Sequence, residues 1–130
     1  MPVGDTVLVV EDESDLLFTV TLALELAGYR VVQATTGEDA LVAVDDHRPD
    51  IVVLDLRLPG IDGWEVLRRL GDGSGSPRVP VVLLSAQVDT VTAARAVDLG
   101  CRAYLAKPFR PTELTRVLES VLGGAGDGPA

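Results

Sequence analysis

Glu11-Asp12, Asp55, Ser85 and Lys107 each stand where an apolar run of this 130-residue chain stops. Alone, each has an ordinary reading. Glu11-Asp12 suits a helix N-terminus, where the dipole favours acids, Asp55 suits a solubilising loop acid, and Lys107 suits a surface lysine. Together they describe a chemistry, provided that the apolar runs are neighbouring strands. Three carboxylates in one crevice repel: two unit charges about 4 Å apart cost roughly 4 kcal/mol at an effective dielectric near 20. A hard divalent cation with oxygen ligands relieves that repulsion, and a small octahedral ion that keeps several waters fits two or three carboxylates. Lys107 adds a fixed positive charge. A carboxylate can also attack phosphorus, and phosphoryl transfer is catalysed mainly by positioning and charge stabilisation. In that arrangement Asp55 attacks, the cation and Lys107 hold the phosphoryl oxygens, and the Ser85 hydroxyl donates a hydrogen bond to them.

The elements that must position these groups are legible around Asp55. Ile51, Val52, Val53 and Leu54 show no polar alternation, as expected of a strand buried on both faces of a parallel sheet. Pro59-Gly60 then forces a turn, and Asp62 with Glu65 forms a cap-like pair for a helix over 63–70. Similar runs predict strands at 6–10, 30–34, 79–84 and 102–106, with Pro80 tolerable at the beginning of its strand.

Helical spacing at residues 16, 17, 20, 24 and 27 predicts a first helix stopped by Gly28. Thr36, with Asp39 in an acidic variant of the capping box, opens a second helix whose apolar face is Leu41, Val42 and Val44. Residues 90–99 form a fourth helix, rich in alanine and therefore thinly anchored. Pro111 opens a fifth, with Leu114, Val117, Leu118 and Val121 inward. Five strands alternating with five helices predict an α/β, doubly wound parallel sheet. Right-handed crossovers favour the order 2-1-3-4-5, in which the carboxyl ends that carry the acids, the hydroxyl and the amine adjoin.

Length fits one domain, expected over residues 5–122, with a Gly-rich tail or linker stub over 123–130. A formal charge of −9 with scattered basic residues argues against direct nucleic-acid binding by this chain. The single cysteine, Cys101, cannot form an internal bridge and reads as a small buried residue in a reducing compartment. The first apolar run, 7–10, is short and meets Glu11-Asp12-Glu13, and no run approaches a membrane span. The expectation is a soluble, cytoplasmic chain with no membrane partner, monomeric or weakly dimeric.

Four motifs in order resemble the receiver domains of bacterial two-component response regulators, CheY-like proteins. They are Glu11-Asp12 after the first strand, L-D-L-R-L-P-G-I-D-G around Asp55, L-S-A at Ser85-Ala86, and G-C-R-A-Y-L-A-K-P-F from Gly100 to Phe109. The resemblance spans residues 5 to about 122 and implies a phospho-accepting signalling switch rather than an enzyme, with at most self-catalysed phosphorylation and dephosphorylation. It implies that Asp55 takes a phosphoryl group from a histidine kinase or histidine phosphotransfer protein, with Mg2+ (or Mn2+) as cofactor. Asp12 and Asp55 would ligate the metal directly, Glu11 through water, and Arg57 through its backbone carbonyl. Ser85 and Tyr104 would be the switch pair, Lys107 the phosphoryl contact, and Lys107-Pro108 a cis peptide bond. An output protein or domain would read the face made by helix four, strand five and helix five. Arg57 and Gln87 would flank the path of an attacking water and tune the phosphoryl lifetime.

Two other classes compete. An aspartate-nucleophile phosphatase of similar topology resembles D-x-D at its first strand, where this chain offers Glu11-Asp12. A flavodoxin-like or dinucleotide cofactor binder needs a glycine-rich loop after the first strand, where Glu11-Asp12-Glu13 would repel a phosphate unless a metal intervened. His47 and Trp64 read as a surface residue and a packing residue, although Trp64 could report binding by fluorescence.

Overall fold

The computed structural model describes residues 4–71, 73–74, 76–86 and 89–123. Among them the chain forms β1 (Thr6–Val10), α1 (Ser14–Leu26), β2 (Arg30–Ala34), α2 (Gly37–His47) and β3 (Ile51–Asp55), followed by α3 (Gly63–Arg69), β4 (Val81–Ser85), α4 (Thr90–Asp98), β5 (Ala103–Ala106) and α5 (Pro111–Gly123). All strand pairs are parallel and the sheet order is β2-β1-β3-β4-β5, the doubly wound arrangement expected. β3 is buried along its whole length because helices cover both faces of the sheet. Val52, Leu54, Val81 and Leu83 pack with α2 and α3, while Ile51, Val53, Val82 and Leu84 pack with Leu17, Val20 and Leu24 of α1 and Leu114 and Leu118 of α5.

Several local expectations shift. The ladder of β4 begins at Val81, not Val79, because Pro80 has no N–H to give it; its carbonyl still accepts from Val52 at 2.9 Å. Val42 faces solvent, since the covered face of α2 is Gly37, Ala40 and Val44 at helical spacing. The caps of α2 and α3 are one-sided. Thr36 Oγ1 accepts from the Asp39 N–H at 3.0 Å and Asp62 Oδ1 from the Glu65 N–H at 3.0 Å, while the Glu65 carboxylate is engaged by Arg68 and Arg69. α5 runs through Gly123, one residue into the expected tail; 124–130 lie outside the described residues, as do Asp72 and Gly75 of the loop before β4. No helix among the described residues is long and apolar enough to cross a membrane.

Candidate functional site

Backbone bonds that continue past the strand ends bring the chemical groups level. Glu11 N–H donates to Ala34 O at 3.0 Å, Leu56 N–H to Leu84 O at 3.1 Å, and Lys107 N–H to Ser85 O at 2.8 Å. Residues 11, 55, 85 and 107 are thereby fixed along one edge of a sheet whose interior cannot slide, because the registers of β1, β3 and β4 are locked by buried side chains on both faces. A cleft of about 750 Å3 opens there, and Glu11, Asp12, Asp55, Ser85 and Lys107 all line it.

Its floor is polar and buried: Glu11 is 1 % exposed, Asp55 3 % and Ser85 5 %. Lys107 Nζ bridges the two buried acids, donating to Glu11 Oε1 at 3.1 Å and Asp55 Oδ2 at 3.0 Å. The other oxygens are met by backbone: Glu13 N–H donates to Glu11 Oε2 and Arg57 N–H to Asp55 Oδ1, both at 3.1 Å. Asp12 is exposed at the rim.

One ligand atom from each of Glu11, Asp12 and Asp55 can be chosen so that all three lie within 4.8 Å of one another. Three carboxylate oxygens so close, against one ammonium, are the donor set a hard cation takes. Burial pushes the Glu11 carboxyl above its ordinary pKa, with the Asp55 charge adding to this and Lys107 and the Glu13 N–H only partly opposing it. Burial by itself would lower the Lys107 pKa, but the hydrogen bond and charge of Asp55, joined by those of Glu11, outweigh it and hold the ammonium above its ordinary range. Lys107 is therefore a firmly charged counter-ion to the pair.

The turn that carries the β3 exit is tightly specified. A Cβ on Gly63 would stand 2.6 Å from the Asp55 carbonyl oxygen and 2.6 Å from Leu56 Cα. The first turn of α3 thus lies directly on the strand end, tied by Gly63 N–H to Leu56 O at 3.0 Å. Gly60 has φ +77°, the left-handed region, and a Cβ there would meet the Glu38 carboxylate at 2.9 Å.

Tyr104 is half-buried and stands elsewhere: it pairs with Leu83, packs with the core under α2 and α3, and is not among the cleft's lining residues. Arg57 lines the cleft beside Leu58 and Pro59. The Lys107–Pro108 peptide is cis, as the resemblance implies. Gln87 lies outside the described residues. The cleft also takes Glu13, Trp64 and Thr92 into its wall, which the sequence reading had not assigned there. Glu13, adjoining the first acidic pair, and Trp64, just past the turn that follows Asp55, carry a sequence signal; the placement of Thr92 depends on how α4 sits against the sheet.

A doubly wound five-stranded sheet with acids and a lysine gathered at its carboxyl edge defines the class, and comparison with known proteins agrees. The model of the response regulator receiver domain matches residues 7–119, and the chain belongs to that family. It is 35% identical over 126 residues to the phosphate regulon transcriptional regulatory protein PhoB of Pseudomonas aeruginosa, covering 97% of this chain and 55% of PhoB. It is 40% identical over 124 residues to the DNA-binding response regulator MtrA of Mycobacterium tuberculosis, covering 95% of this chain and 53% of MtrA. The chain thus spans about half the length of these curated relatives. Among solved structures, a response regulator of Chloroflexus aurantiacus is similar with TM-score 0.83 and 33% identity, over 92% of this chain and 98% of that one.

Proposed function

We propose that this chain is a cytoplasmic phospho-accepting switch in a two-component phosphorelay, and that Asp55 receives the phosphoryl group from a phosphohistidine of a histidine kinase or histidine phosphotransfer protein. The observation that carries the reading is the Lys107 ammonium bridging Asp55 and Glu11 inside a cluster of three carboxylates. In the transfer, an Asp55 carboxylate oxygen attacks phosphorus, the P–N bond to the donor imidazole breaks, and the imidazole leaves with the electron pair and takes up a proton. Arg57 N–H, already on Asp55 Oδ1, orients the carboxylate for that attack.

Glu11, Asp12, Asp55 and the Arg57 carbonyl would hold Mg2+ (or Mn2+), Glu11 through water. The bound cation would supply charge neutralisation of the carboxylates and of the incoming phosphoryl oxygens. Lys107 can pass from the Asp55 oxygen to a phosphoryl oxygen, because its ammonium is already within hydrogen-bond reach of the atom that is modified. Ser85 stands at the end of β4 beside β3, buried and lining the cleft, where its hydroxyl would turn to donate to the same phosphoryl group. Drawing Ser85 inward opens space towards β5, into which Tyr104 turns. The face of α4, β5 and α5 then changes for an output partner or a domain beyond the receiver, which we assign to residues 5–122.

Incubating the protein with acetyl phosphate and Mg2+ and weighing it intact tests this. Wild type should gain one phosphoryl mass that is lost in alkali, and Asp55→Asn should gain none. Equal labelling of the two proteins would sink Asp55 as acceptor.

A further inference from the structure

α4 is the least anchored helix of the sheet's coat. Ala96 is its one buried residue, and Val91 and Val97 are 76 % and 72 % exposed. With so little apolar area covered, its position is decided by few contacts. One of these is specific: the Arg95 guanidinium lies over the ring of Trp64, its Cζ 4.3 Å from the centroid. Trp64 sits at the N-terminal turn of α3 and is a wall common to two cavities. On one side is the cleft that holds Asp55; on the other is a groove of about 440 Å3 between α3 and α4, lined also by Arg95 and Leu99. Its side chain also packs against the core cluster that includes Leu83, as Tyr104 does. A side chain fixed to the sheet thus reaches the site on one face and, through a cation, the loosest helix on the other.

We propose that the Arg95–Trp64 stack is a latch holding α4 in its resting position, and that it sets how readily Asp55 is phosphorylated. The inference rests on Asp55 being the acceptor, as proposed above. The resting assignment follows from the site itself: the latched arrangement is the one in which Lys107 bonds a free Asp55 carboxylate. A shift of α4 away from α3 on modification breaks or lengthens the stack, so its attraction weighs against that switched state. A contact with no differential between two states would shift nothing, whereas one made in only one state shifts the equilibrium by its full strength. For an exposed Arg over a half-buried Trp that is about two- to fivefold.

The test is a cycle of variants phosphorylated by acetyl phosphate with Mg2+, read as initial rate by intact mass. Arg95→Gln, which keeps length and loses charge, should raise the rate about two- to fivefold, and Arg95→Lys, which keeps a cation over the ring, should remain nearer wild type. In a Trp64→Leu background Arg95→Gln should have no further effect, because the partner is already gone; a merely structural loosening of α4 would add instead. Arg95→Gln at the wild-type rate, Lys and Gln behaving alike, or a full Arg95→Gln effect without Trp64 would each overturn the latch. Should wild type itself gain no phosphoryl group, the acceptor reading fails and the latch falls with it, a result readily told from the other three.

Discussion

Lys107 Nζ stands 3.0 Å from Asp55 Oδ2 although 52 positions separate the two residues, and the same ammonium holds Glu11 Oε1 at 3.1 Å. The lysine therefore neutralises two buried acids at once, and removing it leaves them facing each other. In Lys107→Ala without divalent metal, stability should fall by about 1–3 kcal/mol, the range for losing a charged hydrogen-bond partner. Mg2+ should restore much of it. Urea unfolding in chelator and in Mg2+ measures both; a loss unaffected by Mg2+ would contradict the shared charge balance.

Asp12 makes the opposite case. It is exposed at the rim of the cluster and adds negative charge beside Glu11 and Asp55. Asp12→Asn should weaken Mg2+ binding at least tenfold, about 1.4 kcal/mol, yet leave the metal-free protein as stable as wild type or slightly more so. Titrating Mg2+ against Trp64 emission, beside metal-free urea unfolding, separates the two effects. Unchanged affinity would remove Asp12 from the ligand set.

Glu11 and Asp89 should respond to acid with opposite signs. Burial raises the Glu11 pKa above 4.5, so the folded state favours its protonated form. Its contribution to metal-free stability is present below the unfolded value and lost as pH rises through the raised folded value. Subtracting the pH profile of Glu11→Gln from that of wild type isolates this slope. Mg2+ affinity should weaken as pH falls through the same raised value, because ligation needs the carboxylate.

Asp89 Oδ1 accepts from the Thr92 N–H at 2.7 Å, and this backbone hydrogen bond, with the Thr92 side chain next, holds the Asp89 carboxyl below its ordinary range. Its stabilisation of α4 is present above the unfolded value and lost as pH falls through the depressed one. Asp89→Ala should speed amide exchange within α4 more than elsewhere, since a helix with one buried residue relies on its cap. Uniform acceleration across the chain would show that α4 is not a separate unit.

Gly63 can be tested through the strand it touches. With 2.6 Å between an added Cβ and the Asp55 carbonyl oxygen, Gly63→Ala should cost about 1–3 kcal/mol as an overpacked contact and weaken Mg2+ binding by displacing the Asp55 strand end. A variant of wild-type stability and affinity would mean that the turn yields freely.

The sequence by itself determined the sheet and the inventory of the site. Unbroken apolar runs such as Ile51 to Leu54 suit a strand between two layers of helices, and right-handed crossovers then leave few strand orders, of which 2-1-3-4-5 brings Glu11, Asp12, Asp55, Ser85 and Lys107 to one edge. Local rules also located the caps at Thr36 and Asp62, because a side-chain oxygen reaching an N–H three residues on is decided within one turn. They did not reveal that Val42 faces water, since apolar character alone does not say which side of a helix is covered. Tertiary structure alone decided the pairings: that Lys107 divides itself between Asp55 and Glu11, that Gly63 presses on the Asp55 carbonyl, and that Trp64 walls the cleft under Arg95. Those contacts depend on where α3, α4 and the loop after β5 come to rest on the sheet. That is fixed by packing between segments far apart in the chain, which no local spacing records.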